Sequence, residues 1–357
     1  MLSHGVDVYP PALRGEIRYA SEQMTSLRDV ARRAGVSVAT ASRVASGSTP
    51  VRLETRRRVE QAMRELLYVP LSKPAAADAI GLLVPELANP IFPALAQAME
   101  TRATSHGLAS ILCNTGGDAE TEAAYVHMLL ERRVGGMIFI SCEVTDLRGH
   151  HAHYRRLLAA GAKLVFVNGA NEEFEMPAVG VDERASGFMA TQHLIELGHK
   201  TVGFVAGPAH VLSTREKAAG RQDALRAAGL AGGELVGHGA FTVEGGRAAL
   251  ADLLERSESP TGVICSSDLM AVGVLLEAAR RGVQVPADLS VVGFDGIDAA
   301  SWTRPSLTTI EQPIGEIAET AIGALLTMIE EPERSLPGYV FRPKLRLGGS
   351  TGPPRSV

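Results

Sequence analysis

This chain has little with which to cross-link itself, anchor in a bilayer or run a reaction. Three cysteines in 357 residues, Cys113, Cys142 and Cys265, lie far apart, each beside an apolar run. None forms a CxxC pair, so they read as buried free thiols of a reducing cytoplasm. No apolar run is long enough to span a membrane. The opening MLSHGVDVYPPALRGEIRYASEQ lacks the apolar core of a secretory signal and reads as a disordered extension over 1–24. Met24, directly before the organised segment, is an alternative start. GxGxxG, HExxH, GxSxG and the phosphate loop GxxxxGKS or GxxxxGKT are all missing, so neither catalysis nor a cofactor has support. FVAGPAH carries a strand-ending glycine without a phosphate loop. Asp295 and Asp298 have no partner acid or nucleophile in the sequence. His150, His151 and His153 sit in the polar stretch SCEVTDLRGHHAHYRR and read as a solvated loop, since no second cluster completes a metal site.

What is present is unevenly distributed. The formal net charge is -5, yet residues 26–64 hold nine arginines against Asp29, Glu54 and Glu60, a local +6 that leaves -11 for the rest. A basic head on an acidic body points to nucleic acid at one end only. Within the head, Ser26 and Asp29 have capping-box spacing, and Leu27, Val30, Ala31 and Ala34 repeat at helical period. Gly35 suits the left-handed turn that ends this helix. Ser37 caps a second helix, in which Ala41 and Val44 point inward while Val38, Ala39, Ser42, Arg43 and Ser46 share the other face. A third helix over 53–67 places Val59, Met63 and Leu66 inward. The pattern is a helix-turn-helix. A face of small residues lets a helix enter the major groove, where Arg43 can pair with guanine and Val38 and Ala39 can meet thymine methyls. Ser26, Ser37, Ser42 and Thr55 can bond phosphates and set register. The alternative is a small helical bundle with a basic, solvated surface.

The stretch TSLRDVARRAGVSVATASRVASGSTPVRLETRRRVEQAMRELLYVP resembles the DNA-binding head of the lactose-repressor (LacI) family, in one ungapped register. The matching elements are Leu27-x-Asp29-Val30-Ala31, Ala34-Gly35-Val36-Ser37, Thr40-x-Ser42-Arg43-Val44, Thr55-Arg56 and Tyr68-x-Pro70. The resemblance implies base contacts at Val38, Ala39 and Arg43, and adds Thr40 and Ser46 to the expected DNA-binding set. Two mild departures are Arg52, where a serine cap is usual, and Leu67, where glycine is. The family then continues with asparagine and a short hinge helix that wedges a leucine into the minor groove. Here the text is LSKPAAADAIGLLV: Leu71 replaces the asparagine, no arginine follows and Pro74 interrupts. A short linker over 71–79 with a weak or absent hinge helix is expected, with Leu71 the one apolar candidate for the wedge.

From Ile80 onward short β-rich runs alternate with amphipathic stretches. Strands are expected at 80–84, 109–113, 137–140, 164–167, 202–205, 262–265 and 289–293. Helices are expected at 93–106, 120–132, 184–197, 215–228, 243–256, 268–281 and 314–328. This alternation, with a break near PAVGVDERASG, gives two doubly wound parallel-sheet lobes behind an all-α head, with a ligand cleft where the strands' carboxyl ends face each other. The body resembles the same family and, more distantly, periplasmic sugar-binding proteins, through pieces such as VGVDERASG, HLIELGHKTVGFVAGP and PSLTTIEQP. That likeness implies three crossings between lobes, near 178–181, 310–312 and 339–342, an N-lobe of 80–179 plus 311–339, a C-lobe of 181–309 plus 341–348, and a tail over 349–357.

The expected effector contacts are Asn89, Phe92, Asn168, Arg215, Phe241, Ser267, Asp295 and Gln312. Arg215, at the start of a helix, would clamp polar groups; Asp295 would accept from hydroxyls; Phe92 and Phe241 would stack on an apolar ligand face. Asn168-Gly169 stands where many members have Asp-Arg, and Ser267 and Glu183 each replace an asparagine, which argues against an ordinary hexose. The expectation is a cytoplasmic, nucleoid-associated repressor that binds a double-stranded operator as a homodimer, has no membrane or metal partner and answers to a small, sugar-like effector. Three rivals stay open: a solute-binding protein, an enzyme using the cleft, and a DNA binder that has lost effector control. No leucine-heptad tail follows the body, so a dimer rather than a tetramer is expected.

Overall fold

The computed structural model describes residues 26–46, 51–66, 68, 79–149, 151–169, 177–230, 234–256 and 259–355, in two units that divide between Ser72 and Lys73. The expected extension over 1–24 and the linker over 71–78, with Leu71 and Pro74, lie outside the described residues, as do Leu67, Pro70 and His150.

The head is three helices, α1 (Leu27–Ala34), α2 (Val38–Ser46) and α3 (Leu53–Glu65). Its start follows from a reciprocal cap: the Asp29 N–H donates to Ser26 Oγ at 3.3 Å, and the Ser26 N–H donates to Asp29 Oδ2 at 2.9 Å. Gly35 ends α1 at φ 64°, where a side chain would be strained. Val30, Ala31, Ala34, Ala41, Val59 and Ala62 form the core, with Val36 in the corner between helices.

The body begins with β1 (Ala79–Val84), α4 (Ile91–Ser105), β2 (Ala109–Asn114), α5 (Ala119–Glu131) and β3 (Met137–Ile140). It continues through α6 (Ala152–Ala159), β4 (Leu164–Val167), β5 (Ala178–Val181), α7 (Glu183–Glu196) and β6 (Val202–Ala206). Next come α8 (Leu212–Ala227), β7 (Val236–His238), α9 (Val243–Leu254), β8 (Gly262–Cys265), α10 (Asp268–Arg281) and β9 (Ser290–Asp295). The last elements are α11 (Ala299–Trp302), β10 (Thr308–Glu311), α12 (Ile314–Glu330), β11 (Tyr339–Phe341) and β12 (Lys344–Arg346). They form two six-stranded sheets, ordered β11-β5-β4-β3-β1-β2 and β12-β10-β9-β8-β6-β7. All pairs are parallel except β10 with β12. Strands buried on both faces explain the continuous apolar runs, as in β3, β4 and β8. The fold is an all-α helix-turn-helix unit plus two doubly wound α/β lobes. The chain passes from the first sheet to the second after β5, returns after β10 and passes again after β11.

Two local expectations need correction. The histidine stretch is not a solvated loop: it contains α6, with Tyr154 fully buried against Phe139 and Phe166, and His151 is buried at its start. The buried Glu122 carboxylate, which accepts from the Tyr154 hydroxyl and contacts His153 Nε2 at 3.2 Å, draws the polar segment inward. Among the described residues no group of histidine, cysteine and carboxylate side chains is placed to hold a metal. The second correction concerns α8, which starts at Leu212, three residues before the expected start at Arg215.

Candidate functional site

On the head, Val38, Ala39, Ser42 and Arg43 are all exposed along one side of α2, while Ala41 and Ala45 are buried on the other. Ser37 caps α2 by accepting from the Thr40 N–H at 3.2 Å, and its hydroxyl lies 2.9 Å from Thr40 Oγ1. Ser26 is exposed at the head of α1, and Thr55 is half-buried in the first turn of α3. The backbone of Ser46 is the last residue of α2. The Arg33–Glu65 pair, 2.5 Å apart, ties α1 to α3 away from this face. The small, basic, solvent-facing helix is dimensionally suited to a major groove.

In the body, the carboxyl ends of both sheets open on a cavity of about 270 Å³. The first lobe supplies Glu86, Asn89 and Phe92 after β1, Ser141, Glu143 and Asp146 after β3, and Asn168 after β4. The second supplies Lys217 from α8, Phe241 after β7, Ser266 and Ser267 after β8, and Asp295 at the end of β9. Gln312, just after β10, joins the two.

A hydrogen-bond chain runs across the floor. Asn168 Nδ2 donates to Gln312 Oε1 at 3.0 Å, and Gln312 Nε2 donates to Asp295 Oδ1 at 2.8 Å. These groups come from the first lobe, the crossing and the second lobe. Asp295 Oδ2 is buried without a hydrogen-bond partner, and Asp295 itself holds φ 129°. An unsatisfied polar atom and a strained backbone at one residue mark a functional position. The strain is held by Asp268, which is fully buried. Asp268 Oδ2 accepts the N–H groups of Gly296 and Ile297, both at 2.9 Å, and Oδ1 accepts from the Thr309 hydroxyl at 2.6 Å. Burial pushes the Asp268 carboxyl up to about 6, and burial with the Asp268 charge beside it holds the Asp295 carboxyl well above its ordinary range.

Seven of the eight expected effector contacts, Asn89, Phe92, Asn168, Phe241, Ser267, Asp295 and Gln312, line the cavity. Arg215 does not. With α8 starting at Leu212, Ser213 and Lys217 share the face toward the cavity, and Arg215, two residues from each, points to solvent and pairs with Glu216 at 3.4 Å. The cation inside is Lys217, buried, 2.5 Å from Glu183 and stacked over the Phe294 ring at 3.5 Å. Glycines bring this pair together: a Cβ at Gly187 or Gly220 would collide with the backbone of the facing helix, so α7 and α8 touch main chain to main chain. Ser267 turns out to cap α10, accepting the Met270 N–H at 3.3 Å, while lining the wall. Sequence reasoning missed Lys217, Glu86 and Glu143; the periodicity of α8 alone, with the right start, would have favoured Lys217 over Arg215.

Residues 26–71 match the sequence profile of bacterial regulatory proteins of the lacI family, and residues 191–351 match that of a periplasmic binding protein-like domain. The chain is 41% identical over 350 residues to an uncharacterized HTH-type transcriptional regulator in the aml 5′ region of Streptomyces limosus, covering 94% of this chain and 96% of that one. It is similar to the transcriptional regulator CelR in its cellobiose complex, with TM-score 0.71, 29% identity and coverage of 92% of this chain and 100% of that one. It is also similar to the lac repressor dimer bound to operator and the anti-inducer ONPF, with TM-score 0.70, 26% identity and the same coverages.

Proposed function

Because this chain belongs to the LacI family of bacterial regulatory proteins, we propose that it works as a repressor: a homodimer on a pseudo-palindromic operator, one recognition helix per half-site, governed by a small molecule bound between its lobes. Membership in this family makes it a transcriptional regulator and not an enzyme. Its place of action is the nucleoid, in the cytoplasm. Arg43 donates to guanine, Val38 and Ala39 meet thymine methyls, and Ser26, Ser37, Thr40, Ser42, Ser46 and Thr55 position α2 on the phosphates.

The effector is a hydroxyl-rich, sugar-like molecule, in keeping with the cellobiose of the CelR complex. The observation that carries this reading is the Asn168–Gln312–Asp295 chain, which draws its members from both lobes and the crossing. A ligand that bonds to it binds best at one angle between the lobes. Its differential affinity for that angle is what shifts the protein between DNA-competent and incompetent forms.

Footprinting the full chain across its genome, followed by anisotropy on the operators found, tests the proposal. The expected outcome is a palindromic site whose affinity changes tenfold or more with a metabolite. Equal affinity for every duplex overturns it. The linker sequence LSKPAAAD favours a second reading, DNA binding without effector control. A metabolite that binds by calorimetry yet leaves operator affinity unchanged is its signature.

A further inference from the structure

Resting on the reading that an effector occupies the cleft, we propose that the site accepts an uncharged polyhydroxylated ligand and rejects its phosphorylated or carboxylated counterparts, with Glu86 and Glu143 setting that discrimination.

Among the described residues five carboxylates line the cavity, against one cation, Lys217. Lys217 is already paired with Glu183. Asp146 is paired with Arg148, which donates from Nε at 3.0 Å and from Nη2 at 2.7 Å. Glu86, Glu143 and Asp295 have no basic partner within ion-pair distance among the described residues. Burial pushes the Glu86 and Glu143 carboxyls up, and for Glu143 the neighbouring Asp146 and Glu122 charges push the same way. Glu86 responds to lost water alone, while at Glu143 lost water and like charge outweigh the opposite pull of His151 and His153.

Most of the features that would bind an anion are already engaged. A helix N-terminus is a ready anion site unless its own side chains fill it. At the cleft edge α5 is capped by Asp118, α7 by Asp182 and α10 by Ser267. The first turns of α4 and α8 both border the cavity and lack a cap from the N-cap side chain, although at α4 the Asn89 Oδ1 accepts the Ile91 N–H at 3.4 Å. Glu183, at the start of α7, pairs across to Lys217 of α8, so the cation beside the α8 terminus carries no net charge to the cavity. Among the described residues no arginine lines the cavity to fork a phosphate. What remains suits hydroxyls: the unpartnered Oδ2 of the buried Asp295 carboxyl, Gln312, Ser266, and the Phe92 and Phe241 rings for a sugar face.

The full chain is incubated with an extract of the bacterium that encodes it, and retained small molecules are identified by mass spectrometry. In parallel, calorimetry compares matched probes: glucose with glucose 6-phosphate, ribose with ribose 5-phosphate, and cellobiose with cellobionate. The retained metabolite is expected to carry no negative charge, and the anionic member of any pair that binds should be weaker by about tenfold or more. Raising ionic strength from 0.05 to 0.5 M should narrow that gap in the unaltered protein, because repulsion is screened. Glu86→Gln combined with Glu143→Gln should raise the affinity of the anionic probe by about tenfold. A retained anionic metabolite, or an anionic probe that binds more tightly, overturns the proposal while leaving the effector reading intact. A gap indifferent to both salt and the double substitution overturns the assignment to these two residues. No retained metabolite and no probe binding overturns the effector reading, and the proposal with it.

Discussion

The head and the body solve opposite problems. The head presents its chemistry to solvent: Val38, Ala39, Ser42 and Arg43 stand exposed on α2, and a core of mostly alanine and valine behind them needs none of them. The body hides its chemistry: Asp268 and Lys217 are buried, and Asp295 adds a strained φ and an unpartnered oxygen. Function and stability are therefore separable in the head and entangled in the body. A reader of base edges must come to a large, rigid partner and gains from exposure. A receptor for a small hydroxylated molecule must exclude water, so its polar groups carry a desolvation cost that the fold offsets elsewhere.

Substitutions test that contrast. Asp268→Ala should cost the body the most, about 3 kcal/mol or more, because the Thr309 hydroxyl and the Gly296 and Ile297 N–H groups all lose their acceptor. For a body of this size that lowers the melting temperature by roughly 5 °C, read by calorimetry. Non-specific DNA binding by the head should persist. Arg43→Ala should do the reverse. Operator discrimination falls by about 1–3 kcal/mol while the melting curve stays put and salt-dependent non-specific binding remains. A large loss of melting temperature with Arg43→Ala would erase the contrast.

Two sets of carboxyls, one in each unit, should contribute to pH dependence with opposite signs. Asp268, pushed up to about 6, and Asp295, held higher than usual, keep their protons longer in the folded body than in the unfolded chain. Their stabilisation is complete below pH 3.8, their ordinary value, and is lost as pH rises through about 6 and beyond. In the head, hydrogen bonds from Ser26 hold Asp29 below its ordinary range, and bonds from Gln61 and Arg33 do so for Glu65. Their stabilisation is present at neutral pH and fades only as pH falls below the ordinary carboxylate range. Comparing hydrogen exchange of the full chain with that of Asp268→Asn in the body and Ser26→Ala in the head isolates each set, and like-signed changes in pH dependence would contradict this assignment. Smaller still, Ser26→Ala should cost the head about 1 kcal/mol through the lost cap. Arg215→Ala should shift body stability by less than about 0.5 kcal/mol and leave any effector response intact. Loss of that response would return Arg215 to the cleft.

Much of the architecture was legible because it depends on near neighbours. The capping pair at Ser26 and Asp29, the turn at Gly35, the inward stripe of Val59 and Met63 and the seven expected strands all follow from periods of 3.6 and 2 and from single turn residues. The short strands β7, β11 and β12 carry too few residues to show a period and owe their existence to the sheets they join. The stretch around Tyr154 reads as polar, and only the buried Glu122 at the other end of a fold contact makes it a packed helix.

The sequence by itself determined a basic three-helix head and a two-lobed α/β body with its loops at the strands' carboxyl ends, since backbone period and turn chemistry act over a few residues. The tertiary structure alone decided which charges enter the cleft. Lys217 replaced Arg215 through a three-residue shift in where α8 begins, and Asn168 met Gln312 across 144 positions of chain. Such pairings depend on how sheets stack and helices touch, and no local pattern records a partner that distant.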